Sequence, residues 1–161
     1  MNNRERFFYR VSTEMGQFGL VASETELTHL FFDGETPRFD TTEQATPLLR
    51  QAAAELQQYL SGKRQQFTVP LDPAGTEFFR RAWQALIAIP YGETRSYQQI
   101  AAMVGNAKAC RAVGLANNRN PLPIFIPCHR VIGANQKLTG YRGGLPLKQT
   151  LLELEQRHAR I

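Results

Sequence analysis

SYQQIAAMVGNAKACRAVGLANNRNPLPIFIPCHRVIG, residues 96–133, decides how this chain is read. Its first part predicts two short helices. Ser96 with Gln99 forms a capping-box pattern that opens SYQQIAAMV, and Gly105 with Asn106 supplies the turn into AKACRAVGLAN. Such a pair makes a helix-turn-helix pattern, whose second helix can enter the major groove of DNA, although plain helix packing uses the same pattern. Lys108, Arg111 and Arg119 lie in or just after the second helix with no acidic residue among them, which favours a polyanionic partner. Cys110, between Ala109 and Arg111, reads as a small packing residue.

The second part, NRNPLPIFIPCHRVIG, carries the candidate chemistry. Pro121, Pro123 and Pro127 stiffen the backbone around Ile124, Phe125 and Ile126, so the pattern predicts a short buried strand that delivers Cys128. His129 and Arg130 follow at once, neighbours of the kind that favour a thiolate nucleophile. A lone cysteine among apolar residues also reads as an inert core group. In a strand, adjacent side chains face opposite ways, so a proton could pass from Cys128 to His129 only if the chain turns or a water bridges them. Glu155, in the closing helix, is the candidate to orient the imidazole.

Working outward, residues 74–161 hold 12 basic and 4 acidic side chains against 7 and 10 in residues 1–73, so the overall net charge of +5 conceals a C-terminal part at net +8. LDPAGT, residues 71–76, is the boundary between domains 1–73 and 74–161. Ahead of it, FFYRVST, FGLVAS and LTHLFF predict a small antiparallel sheet. TPLLRQAAAELQQYLSG predicts a helix with Thr46 as cap, Pro47 in the first turn and Gly62 at the end. His29 reads as a core or edge histidine. Behind the boundary, Thr76 caps EFFRRAWQALIAI, with Phe79, Ala82, Trp83, Leu86 and Ile87 as its apolar stripe. TGYRGG, residues 139–144, offers a stacking face in Tyr141 and close approach at its glycines, one wall of a pocket or simply a connection. PLKQTLLELEQRHAR closes the chain as a helix packed through Leu147, Leu151 and Leu154, with His158 near its solvated end.

Composition excludes several classes. With 42% hydrophobic and 20% charged residues the chain is globular rather than disordered or fibrous, and two cysteines are too few for a disulfide scaffold. No apolar run approaches the roughly 20 residues that span a bilayer, and the N-terminus lacks the pattern of a secretory signal, so the expected location is the cytoplasm, away from membranes.

PCHRVIG at 127–133, preceded by RAVGLANNRNPLPIFI and IPYGETRSYQQIA, resembles the O6-alkylguanine-DNA alkyltransferase family over nearly all of residues 75–156. The resemblance implies an α+β fold: a small ribonuclease H-like sheet-plus-helix domain, then a helical C-terminal domain with a helix-turn-helix. It implies transfer of the alkyl group from O6-alkylguanine, and with it O4-alkylthymine, to Cys128. His129 would deprotonate the thiol through a water, Glu155 would orient His129, and Asn120 would support the active-site turn. Tyr97 and Arg111, with Ser96, Lys108 and Arg119, would bind DNA and extrude the damaged base. Val131, Tyr141, Arg142, Gly143 and Pro123 would line the guanine pocket. The expected partner is double-stranded DNA carrying the lesion, engaged through the minor groove by a monomer. No cofactor and no metal are expected, since residues 1–73 contain no cysteine and the single histidine His29. Asn117 and Asn118 stand where some members have small or apolar residues, and Arg142 where relatives are often small. Two other classes remain open: a non-reacting alkyltransferase-like lesion binder, and a helix-turn-helix transcription regulator.

Overall fold

The computed structural model describes residues 5–135 and 137–159. The chain divides into two compact units, Met1–Ala74 and Gly75–Ile161.

In the first unit, β1 (Phe7–Thr13), β2 (Gly16–Ala22), β3 (Leu27–Phe31) and β4 (Thr42–Glu43) form one sheet in the order β3-β2-β1-β4. β1 and β2 pair antiparallel from Phe7↔Ala22 to Thr13↔Gly16, and the tight turn between them places Gly16 at φ +107°, a conformation that side-chain-bearing residues resist. β4, which no alternation in the sequence marks, runs parallel to β1 on the far edge. The helix α1 (Pro47–Leu60) begins as its sequence predicts: Leu49 N–H donates to the Thr46 hydroxyl at 3.2 Å, and Pro47 occupies the first turn. Its buried face, Leu49, Ala52, Leu56 and Tyr59, packs on the sheet beside Leu20, Val21 and Leu30. His29 sits half-buried on β3, hydrogen-bonded through Nδ1 to the Thr28 hydroxyl and stacked on Phe31.

Glu55 is the one charged residue on that buried face. Its carboxylate accepts from the Thr68 N–H (2.8 Å) and hydroxyl (2.6 Å), the Val69 N–H (3.2 Å) and the Gln51 amide (3.0 Å), tying α1 to the segment that then bridges Leu27 at Leu71. Truncation would strand those donors. Glu55→Ala is therefore expected to lower stability by about 1–3 kcal/mol, read as a reduced urea midpoint.

The second unit holds α2 (Glu77–Ile87), β5 (Arg95–Ser96), α3 (Tyr97–Met103), α4 (Cys110–Asn118), β6 (Val131–Ile132) and α5 (Leu145–His158). Thr76 caps α2 through the Phe79 N–H at 3.1 Å. The buried stripe of α2 is Ala82, Trp83 and Leu86; Phe79 is only half-buried and Ile87 is exposed, because the helix stops at Ile87 and Ile89 beyond it turns inward instead. Trp83 Nε1 donates to the Ala116 carbonyl at 2.9 Å, locking α2 to α4. Both bonds of the Ser96–Gln99 capping box form at the start of α3. Gly105, at φ +87°, turns the chain, and α4 then packs against α3. α4 begins with Cys110, which is half-buried. In α5 the inward positions are Lys148, Leu151, Leu154 and Glu155, while Leu147 is only half-buried. His158 Nδ1 meets the Leu154 carbonyl at 2.8 Å. Among the described residues no helix is long and apolar enough to cross a membrane.

Candidate active site

The cysteine does not arrive on a strand. Pro121, Pro123 and Pro127 have no N–H to give a ladder, and the segment closes on itself instead: Ile126 N–H donates to the Leu122 carbonyl at 2.8 Å, with Ile124 at φ +76°. A branched residue in the left-handed region is strained and must be held by its surroundings. Asn120 does this, its Nδ2 donating to the Ile126 carbonyl (2.9 Å) and its Oδ1 accepting from the Leu122 N–H (2.9 Å). Cys128, His129 and Arg130 then form a single 3₁₀ turn. The chain therefore turns at the point where a strand would have separated Cys128 from His129.

All three side chains are buried. His129 Nε2 lies 2.8 Å from Glu155 Oε2. Arg130 does not support the thiol: its guanidinium forks onto Glu155 (2.8 Å to each oxygen) and donates to the Ile89 carbonyl at 2.7 Å. The Gly92 N–H adds a further bond to Glu155 Oε1. Burial alone would raise the Glu155 pKa, but the bonds from His129 and Arg130 outweigh it and hold the carboxyl at about 2. For His129 burial wins over the attraction of Glu155 and lowers the pKa, so the ring is neutral near pH 7. A neutral ring donates its Nε2 proton to the carboxylate, which puts the basic lone pair on Nδ1.

Burial also pushes the Cys128 thiol up, countered by the Asn120 side chain and by the positive charges of Lys148 and Arg142. The expectation that His129 and Arg130 make a thiolate is thus corrected: one is neutral and the other is committed to Glu155. Lys148, fully buried on α5, donates through Nζ to the carbonyls of Val131 (2.7 Å) and Thr139 (3.2 Å).

A narrow pocket of about 40 Å³ opens on Cys128. Of the expected wall residues it is lined by Pro123, Tyr141 and Arg142, with Tyr97 and Asn120. Val131, buried on β6, and Gly143 are not among its lining residues, whereas Gly140 is. Gly114, Asn117 and Asn118 of α4 complete the wall. Burial first, then the nearby Cys128, raises the Tyr141 pKa well above its ordinary value, so its phenol stays protonated.

Lys108, Arg111 and Arg119 are all exposed along α4 and its ends. Tyr97 opens α3 with its hydroxyl 2.5 Å from that of Thr139, whereas the Ser96 hydroxyl is occupied as the cap.

Residues 77–157 match the family described as 6-O-methylguanine DNA methyltransferase, DNA binding domain, and residues 8–73 match its ribonuclease-like domain. The chain belongs to the 6-O-methylguanine DNA methyltransferase family. A methylated-DNA--protein-cysteine methyltransferase of Methanosarcina barkeri is 46% identical over 153 residues, covering 93% of this chain and 97% of that one. The constitutive enzyme of the same name from Bacillus subtilis is 45% identical over 157 residues, covering 93% and 95%. Among solved structures, Mycobacterium tuberculosis OGT in complex with DNA superposes with a TM-score of 0.89 at 44% identity, covering 94% of each chain. The expected α+β architecture, a small sheet unit followed by a helical one, is thereby the 6-O-methylguanine DNA methyltransferase fold.

Three site residues escaped sequence reasoning in this family member. Lys148 sits in a polar-looking stretch, PLKQT, where a lysine is normally solvated; only its register with Leu151 and Glu155 hints that it faces inward. Arg130 signalled charge but not its partner. Asn117 was visible only as an unusual residue, and it donates through Nδ2 to the Cys128 carbonyl at 3.2 Å.

Proposed function

We propose that this protein repairs DNA by transferring the alkyl group of O6-alkylguanine, and of O4-alkylthymine, to Cys128, each molecule acting once. The observation that carries this is the buried cysteine set beside a histidine whose tautomer a carboxylate fixes, at the foot of a pocket. The Cys128 proton passes to His129 Nδ1 by way of a bridging water. The Sγ electrons attack the alkyl carbon and the carbon–O6 bond breaks, its electron pair staying on guanine. The imidazolium, disfavoured by burial, returns its proton to the base. A thioether remains, and no group at the site can cleave it.

The base cannot react inside the helical stack and must be flipped out. Tyr97 presses on the backbone, Arg111 fills the vacated space from the minor groove, and Lys108 and Arg119 neutralise phosphates without reading sequence. The substrate being DNA, the same reading places the protein in the cytoplasm as a monomer, with no metal and no cofactor.

Incubation with an oligonucleotide containing O6-methylguanine tests the proposal: the intact mass should rise by one methyl in place of the thiol hydrogen, mapped to Cys128. An unchanged mass sinks it. Arg111→Ala separates flipping from chemistry. It should slow repair of duplex DNA by on the order of 10-fold or more, the worth of one or two stacking or charge contacts, while leaving reaction with free O6-benzylguanine near normal. Equal losses on both substrates would place Arg111 outside base extrusion.

A further inference from the structure

Tyr97 is held at both ends by the same piece of the molecule. Its backbone opens α3 directly behind β5, and β5 pairs in parallel with β6, Arg95 opposite Val131 and Ser96 opposite Ile132. The Ser96–Gln99 capping box fixes the passage from strand to helix. At the far end of the ring, the hydroxyls of Tyr97 and Thr139 share a hydrogen bond at 2.5 Å. Thr139 reaches that place because the chain doubles back after β6, the Gly133 N–H donating to the Lys137 carbonyl at 2.9 Å. From behind, α5 pins the returning segment: the fully buried Lys148 donates through Nζ to the carbonyls of both Val131 and Thr139. A closed ring of contacts through Tyr97, Thr139, Lys148, Val131 and Arg95 therefore ties the tyrosine to the strand that follows the Cys128 turn.

Tyr97 is among the residues lining the pocket on Cys128 and Thr139 is not, so the Thr139 hydroxyl acts on the tyrosine. A tyrosine on a protein surface ordinarily samples more than one rotamer, and ordering it at the moment of binding costs free energy. A ring fixed during folding meets the DNA backbone without that cost. We propose that Thr139 is the positioning residue for Tyr97: its hydroxyl holds the phenol in the rotamer that presses on the DNA backbone, a role that rests on the repair reading above and deepens it. The clasp needs a hydroxyl on an anchored backbone and no particular side-chain bulk, so serine serves at this position and valine does not.

Two rates test this: methyl transfer to Cys128 from O6-methylguanine in duplex DNA, and benzyl transfer from free O6-benzylguanine, which needs no extrusion. Thr139→Val keeps the shape and loses the hydroxyl. It should slow the duplex reaction about 5-fold, the worth of one hydrogen bond, and leave the free-base reaction near native. Thr139→Ser should keep the native duplex rate. Tyr97→Phe should be slowed at least as much as Thr139→Val, and combining the two should slow the duplex reaction no further, because the partner hydroxyl is already gone. A merely structural role for Thr139 would slow both reactions alike and would add to Tyr97→Phe. Native duplex rates in Thr139→Val, equal losses on the two substrates, slowing in Thr139→Ser as large as in Thr139→Val, or a double variant slower than Tyr97→Phe each overturn the clasp and leave the repair reading standing. Native protein that takes neither a methyl nor a benzyl group on Cys128 overturns both.

Discussion

Cys128→Ala is expected to abolish alkyl transfer completely, with no residual rate from the rest of the site. On the proposed reading the group lost is the acceptor of the alkyl carbon, and neither His129 nor Tyr141 substitutes for it. His129 is hydrogen-bonded to Glu155 and, on that reading, takes the proton, and the Tyr141 phenol is held protonated by burial. The substitution removes one buried sulfur from a 3₁₀ turn whose hydrogen bonds are backbone ones, so the fold should lose only about 1 kcal/mol. Binding to lesion-containing duplex should survive, because Tyr97, Arg111, Lys108 and Arg119 are untouched. Transfer of a labelled methyl to protein, measured beside thermal unfolding and a DNA-binding titration, checks all three. Cys110→Ala is the contrast and should label at the native rate. Methyl transfer by Cys128→Ala would mean that Cys110 or another group is the acceptor.

The second large effect is on stability as much as on chemistry. Glu155→Gln removes a carboxylate that Arg130, His129 and the Gly92 N–H all use. Arg130 is left as a buried cation without its counter-charge, for which the expected loss is about 3–5 kcal/mol. Transfer should slow as well, because a neutral amide no longer holds the His129 tautomer firmly. The slowing should show against near-native affinity for lesion DNA, measured where the variant is still folded.

The pH dependence carries the same signature. The carboxyl has a folded pKa of about 2 against an ordinary value of 4.5. It therefore binds protons less readily folded than unfolded, so its contribution is fully present above pH 4.5 and is lost as pH falls toward 2. Urea midpoints of the native protein should drop through that window, and those of Glu155→Gln should drop less. Identical acid limbs would remove Glu155 from the ion cluster. Losses in Glu155→Gln confined to stability, with native transfer rates in the folded protein, would remove it from the proton path.

Local signals account for most of the elements. Thr46 with Pro47, Thr76, and Ser96 with Gln99 each start a helix where the sequence says, because a cap satisfies its own N–H groups within four residues. Pairings between distant residues were less visible. β4 is two residues long and joins β1 only because the chain returns to that edge, and α2 stops two residues short of Ile89, which is buried beyond its end while Ile87, its last residue, is exposed.

The motif PCHR, the helix pair beside it and the glutamate of the last helix are properties of the sequence alone, and they single out Cys128, His129 and Glu155, of which the structure bonds His129 to Glu155 in the turn that carries Cys128. What the residues face was decided by the tertiary structure. Three prolines, read as stiffening a strand, close a turn because none of them can donate to a ladder. Arg130, read as an aid to the thiolate, is taken by Glu155, and the cations that act on the sulfur are Lys148 from α5 and Arg142. Desolvation sets the charges at the site: it depends on every side chain packed around a group, and burial lowers the His129 pKa and raises that of the Cys128 thiol.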